Sequence, residues 1–182
     1  MTDKCPQVFI SRSPPDQSFR TRRDSQGYRI TLNDPTEWAD ILEPYHHVAP
    51  PRADVRIEVE VETTRGLGTE MFGIACRSYG TPTAPGRWYD LMVGNDGAFF
   101  IAFGKGATYG ILSSGYGPLP KPGTNHLRAD CIGTTLTLYL NGQLVSTVMH
   151  GEAADGLSGI HVRNTERSGA EFIFRNLIVI GL

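Results

Sequence analysis

Residues 125–148, NHLRADCIGTTLTLYLNGQLVSTV, leave little freedom in how this chain can fold. Leu127, Ala129 and Cys131 recur with a period of two, and Leu136, Leu138 and Leu140 do the same after a short break. Asn141-Gly142 follows, the residue pair that two-residue hairpin turns favour because both positions need a positive φ. The stretch therefore spells three consecutive antiparallel strands with their turns. Residues 54–64 repeat the alternation: Val55, Ile57, Val59 and Val61 interleave with Arg56, Glu58, Glu60 and Glu62, the pattern of a strand with one apolar and one charged face.

Further strands read out at 28–32, 71–77, 88–93, 98–103, 157–162 and 170–180. A Pro/Gly loop over 80–86 and the turns at 94–97 and 164–169 separate them. The glycine- and proline-rich span 104–123 reads as an irregular crossing with one strand around Ile111. Asp34-Pro35-Thr36-Glu37 combines a capping aspartate, a proline at the first helical position and a glutamate at the third, predicting a brief helix through Leu42 that Pro44 ends. Residues 1–17, with Pro6, Pro14 and Pro15, read as a tail able to lie against the body, and 18–182 as one domain. Ten to twelve strands with one helical turn make an all-β chain of two packed antiparallel sheets.

A chain of 182 residues suits a single sandwich with a substantial core. Its 17 basic and 19 acidic residues give a net charge of −2, which offers no positive field to draw in nucleic acid or anionic lipid. No run approaches the ~20 apolar residues that cross a bilayer as a helix. The opening MTDKCPQVFI lacks the charged, apolar and small-residue regions of a secretory signal, so an exported protein would have lost that signal or carry it elsewhere.

Three cysteines bear on location. Alternation puts Cys76 on the face of Phe72 and Ile74, and Cys131 on the face of Leu127 and Ala129. Two inward cysteines can bridge strands or sheets, or stay as buried thiols; the bridge is the expectation here, and it implies an oxidising, extracellular or cell-surface setting. Cys5 is left over for a free thiol, an intermolecular bond or a lipid.

The succession FGIACR, WYDLMVGNDGAFFIAF, NHLRADCIGTTLTLYLNGQLV, LSGIHV and FIFRNLIVIGL resembles a concanavalin A-like (laminin-G-like) jelly-roll domain over residues 18–182. It is similar to extracytoplasmic domains of actinobacterial proteins and, more distantly, to the 3-keto-disaccharide hydrolase domain. The resembling positions are fold markers, so the resemblance implies architecture: an all-β, two-sheet antiparallel jelly-roll sandwich with one short helix. It further implies a binding surface, often for carbohydrate, on the concave sheet or its rim.

Outward partners of core residues supply the candidates for that surface: Arg77, Trp88, Asp90, Tyr139, His161 and Arg163. Aromatic rings stack on apolar sugar faces while charged groups take hydroxyls, although such residues also pair across sheets with no ligand present. Glu58, Glu60 and Glu62 are the one enzyme-like signal, similar to the Glu-x-Asp-x-Glu strand of retaining β-glucanases. On one strand face, carboxylates two residues apart stand ~7 Å apart and the outer pair ~13 Å, against the ~5 Å a retaining pair needs, and a solvated strand face accounts for them better. Other signals carry less chemistry. His46-His47 would point apart on a strand; Asn95-Asp96-Gly97 could contribute oxygens to calcium, but two such residues fall short of the 6–8 oxygens it takes, and a hairpin turn accounts for them better. Gly104-Lys105-Gly106 lacks the strand-to-helix setting of a phosphate loop, and His126, His150 and His161 have no nucleophile serine in an elbow. The sequence thus predicts a non-catalytic recognition module for a glycan or another cell-surface ligand, with no cofactor. A glycoside-active enzyme is one alternative, and a protein-binding sensor or assembly domain using the aromatic stretches around Trp88, Tyr109 and Tyr116 is another.

Overall fold

A computed structural model describes residues 9–11, 19–33, 38–42, 53–66, 68–81, 84–164 and 169–182. Among them run fourteen strands: β1 (Phe9–Ser11), β2 (Phe19–Asp24), β3 (Gly27–Leu32), β4 (Trp38–Leu42), β5 (Val55–Arg65), β6 (Met71–Thr81), β7 (Ala84–Gly94), β8 (Ala98–Lys105), β9 (Thr108–Tyr116), β10 (Thr124–Ile132), β11 (Thr135–Leu140), β12 (Gln143–Met149), β13 (Leu157–Arg163) and β14 (Ala170–Gly181). They make two sheets of seven, in the orders β1-β4-β13-β6-β7-β8-β9 and β12-β11-β10-β5-β14-β3-β2. Every pairing is antiparallel.

Alternation explains the layering. Val55, Ile57 and Val59 of β5 face Cys131, Ala129 and Leu127 of β10 across one ladder, and these side chains are fully buried. Asn141 (φ 51°) and Gly142 (φ 80°) close the β11–β12 hairpin in the left-handed geometry their pairing predicts. Phe72, Ile74, Leu91, Ile101 and Ile160 of the first sheet meet Ile30, Ile57, Leu127, Leu138 and Phe172 of the second in one core. Burying each such side chain contributes about 1.5–3 kcal/mol. The expected disulfide is present: Cys76 of β6 is bonded to Cys131 of β10, joining the two sheets across a sequence separation of 55.

Three expectations meet a different outcome or placement. Trp38–Leu42, placed in a helix, is a strand paired on one side with β1 and on the other with β13; Asp34–Glu37 lie outside the described residues. Pairing on both edges overrides the local capping pattern. Phe9–Ser11, within the span expected as a tail, forms β1 against β4. The strand expected around Ile111 in the glycine- and proline-rich span is present as β9, nine residues at the edge of the first sheet with mostly exposed side chains.

Arg77 is the third. The β6–β7 register slips after Cys76, Arg77 takes a φ of 52°, and its side chain turns into the molecule instead of onto the outer face. It is 1% exposed and lies between the sheets. Its Nε donates to Ala53 O (2.8 Å), Nη1 to Gly133 O (2.7 Å) and Ala153 O (3.2 Å), and Nη2 to Cys131 O (3.2 Å) and Asp54 Oδ1 (3.3 Å). All five N–H groups of the guanidinium are thereby used, which is what permits a cation to sit at this depth. Gly156 (φ 152°) passes so close that an added Cβ would lie 2.5 Å from Arg77 C.

Candidate ligand-binding face

The outer face of the first sheet is not a plain solvated surface. It carries a second buried apolar cluster, Met71, Met92, Phe100 and Ala102, and beside it polar groups gathered on Asp90. Small residues make the gathering possible. Asp90 on β7 stands opposite Ala75 of β6 on one side and Ala102 of β8 on the other, and His161 of β13 stands opposite Gly73 of β6. With only glycine and alanine on the intervening strand, Asp90 and His161 meet across it: Oδ1 lies 2.8 Å from His161 Nδ1, the ring nitrogen that must carry the proton if it faces a carboxylate.

The second carboxylate oxygen holds two aromatic rings. Trp88 Nε1 donates to Asp90 Oδ2 at 2.9 Å, and the Tyr109 hydroxyl donates to the same atom at 3.0 Å. Trp88 lies on the backbone of Gly104, where a Cβ would come within 2.3 Å of the indole. Tyr109 pairs with Gly104 from β9, its ring centroid 6.4 Å from that of Trp88 and 6.4 Å from that of Phe100. Asp90 is wholly buried, whereas Tyr109 is 44% exposed. A buried carboxylate is tolerable only when hydrogen-bonded, and here three donors converge on it. Asp90 thereby holds both rings in place.

Of the six residues singled out in the sequence, Trp88, Asp90 and His161 come together here, and Arg163 extends the same strand face two residues beyond His161, exposed and opposite Met71. Arg77 is in the interior, as described. Tyr139 lies on the outer face of the other sheet, with the Arg128 guanidinium 4.7 Å from its ring centroid. Tyr109 and Phe100 complete the cluster; from the sequence alone Tyr109 belongs only to the aromatic stretches for a protein partner. The usable signal was the alternation of Tyr109 and Ile111 around Gly110.

The outer face of the second sheet holds the three glutamates in a ladder. Glu58 Oε2 lies 3.3 Å from His126 Nε2, Asn176 Nδ2 donates to Glu60 Oε2 at 3.0 Å, and both Arg175 Nη atoms donate to Glu62 Oε2 at 3.1 Å. Beside them Arg56 and Arg128 clamp Asp130. Burial works against the Asp130 charge, but the hydrogen bonds from Arg128 and Arg56 outweigh it and hold the carboxyl below the usual aspartate range. Glu171 is likewise held below the usual glutamate range: burial opposes its charge, and bonds from Thr64, Arg29 and Thr31 prevail.

In the 94–97 turn, Asn95 Oδ1 accepts from Thr63 and Asp96 Oδ1 from the Ala98 N–H. Among the described residues no three His, Cys, Asp or Glu side chains group as a metal site, and His46-His47 lie outside those residues.

No protein-family model matches this chain, and no curated protein matches it. Solved structures do. A carbohydrate-binding module, CBM66 from Bacillus subtilis, superposes with a TM-score of 0.69 at 15% identity over 89% of this chain and 94% of that one. The VIP36 exoplasmic/lumenal domain in its Ca2+/Man-bound form gives 0.64 at 13% over 100% and 85%, and sheep galectin-11 in complex with glycerol gives 0.54 at 10% over 80% and 97%. The fold is that of a concanavalin A-like sandwich. At these identities the likeness establishes architecture only.

Proposed function

We propose that this domain is a non-catalytic recognition module that binds carbohydrate on the outer face of its first sheet. One observation carries the reading: Trp88 and Tyr109 are fixed side by side through a shared buried acceptor, Asp90, over a floor cleared by Gly104. Rings held in this way form a preorganised stacking platform, and immobilising them costs the ligand nothing at the moment of binding. His161 and Arg163 line the same face, with Arg163 exposed to offer hydrogen-bond donors to hydroxyls. Two solved structures with this sandwich are a carbohydrate-binding module and a Ca2+/Man-bound exoplasmic/lumenal domain, which supports the same class of ligand. The disulfide between the sheets fits an extracytoplasmic location.

The test is a glycan array read with the native domain and a Trp88→Ala variant, each with and without calcium. Binding that the substitution abolishes supports the platform. Binding that survives it contradicts this site, and silence across the array would turn attention to a protein ligand. No observation favours the glycoside-active alternative, because Glu58, Glu60 and Glu62 each have a partner on their own sheet.

A further inference from the structure

The platform continues along one strand. On β9 the residues that share the outer face are Tyr109, opposite Gly104; Ile111, opposite Ala102; Ser114, opposite Phe100; and Tyr116, opposite Ala98. A register shift between Ile101 and Ala102 moves the alternation by one, which is what keeps Ser114 and Tyr116 on the same face as Tyr109 and Ile111. These positions form a stripe rather than a pocket. Tyr109 is 44% exposed, Ile111 53% and Tyr116 80%. The seven steps from Tyr109 to Tyr116 span about 20 Å of strand. Residues 106–120, GATYGILSSGYGPLP, contain no charged side chain, while Lys105 and Lys121 bound the span.

From this geometry we infer that the site takes the interior of a linear, neutral polysaccharide laid along β9, with Trp88 and Tyr109 gripping one sugar and Tyr116 stacking on another several units away. The inference rests on the carbohydrate reading above and adds length and charge to it. A stripe of this span exceeds a single sugar, so binding energy accrues over successive rings as the chain lengthens. The gap between the two tyrosines is filled by Ile111, which covers an apolar ring face, and by the Ser114 hydroxyl, which can exchange hydrogen bonds with sugar hydroxyls. Within residues 106–120 there is no cation, so along β9 itself nothing rewards a uronate, sialate or sulfate over a neutral hydroxyl.

Isothermal titration of length series of xylo-, cello-, manno- and fructo-oligosaccharides, from two to six units, tests this on the native domain and on the Tyr116→Ala and Trp88→Ala variants. Tyr116 is largely exposed, so its removal leaves the fold intact, which circular dichroism verifies. In the series that binds, affinity should rise with length. Tyr116→Ala should weaken the longest member about two- to tenfold, the range of one aromatic contact, and leave the disaccharide unchanged, while Trp88→Ala weakens both. Equal affinity for short and long members, or a Tyr116→Ala variant that binds the longest member as well as the native domain, overturns the inference and leaves the carbohydrate reading standing. If no member of any series binds while the array returns another glycan, this inference falls and the carbohydrate reading stands; silence in both brings both down.

Discussion

Replacing Cys76 and Cys131 together by alanine removes the covalent tie between β6 and β10 without burying a new hydroxyl, and both positions are fully buried. The bond closes a loop with a sequence separation of 55, and in the chain-entropy account such a loop restricts the unfolded ensemble by about 4 kcal/mol at 25 °C. For a domain of this size each kcal/mol moves Tm by about 2–4 °C, so the double variant should melt about 8–16 °C lower. Differential scanning calorimetry measures this directly, with Cys5→Ser as a control that leaves Tm unchanged. The native state gives a second readout. Since both sulfurs are shielded, a thiol reductant reaches the bond through unfolding, and the loss of stability in dithiothreitol should develop slowly below the transition and quickly within it. A double variant that melts with the native protein would refute the reasoning, as would immediate reduction of the folded domain at low temperature.

Arg77→Met takes the guanidinium donors from four backbone carbonyls and from Asp54 Oδ1, which keeps the Gly133 N–H, and should cost about 3–5 kcal/mol by chemical denaturation, with Arg77→Lys recovering only part because an ammonium has three donors. Gly104→Ala places a methyl 2.3 Å from the Trp88 ring atoms, so tryptophan fluorescence should shift and glycan binding weaken; an unchanged spectrum with native affinity would contradict the packing. Asp130 and Glu171 are ionised more readily in the folded than in the unfolded chain, so each adds stability above the ordinary carboxylate values of about 3.9 and 4.3, and that stability drains away as pH falls through the lower folded values. Acid unfolding followed by circular dichroism should accordingly begin below about pH 4. Asp130→Asn should flatten that dependence, and an unaltered acid limb would count against the Arg56–Asp130–Arg128 clamp.

Strands with one face in the core were legible because burial imposes a period of two: β5, β10 and β11 read out of the sequence nearly residue for residue, and Asn141-Gly142 marked its own turn. What failed to read lacks that imprint. β9 sits at a sheet edge with its side chains mostly in solvent, so its centre at Ile111 was legible but its full extent was not. β4 owes its conformation to hydrogen bonds with β1 and β13, whose partners lie far off in sequence, and a local helix cap outranked them on the page. Arg77 follows Cys76 by one residue and should point outward by alternation, but the register slip turns it inward. The site was half visible for the same reason. Alternation tells which face of its own strand Trp88 or Tyr139 occupies, yet not which sheet the strand joins; the pairing of β10 with β5 sends Tyr139 to the opposite side of the sandwich from Trp88. The gathering of three donors on Asp90 was not legible either, since they come from β7, β9 and β13, far apart in sequence.

The central claim is that Asp90 holds Trp88 and Tyr109 as a sugar platform, and the most direct measurement is titration of the array's best glycan into the native, Trp88→Ala and Asp90→Asn domains with tryptophan fluorescence recorded alongside. Loss of binding in Trp88→Ala, together with weakened binding and a shifted Trp88 emission in a folded Asp90→Asn domain, is the predicted result. Native affinity in both variants would contradict it.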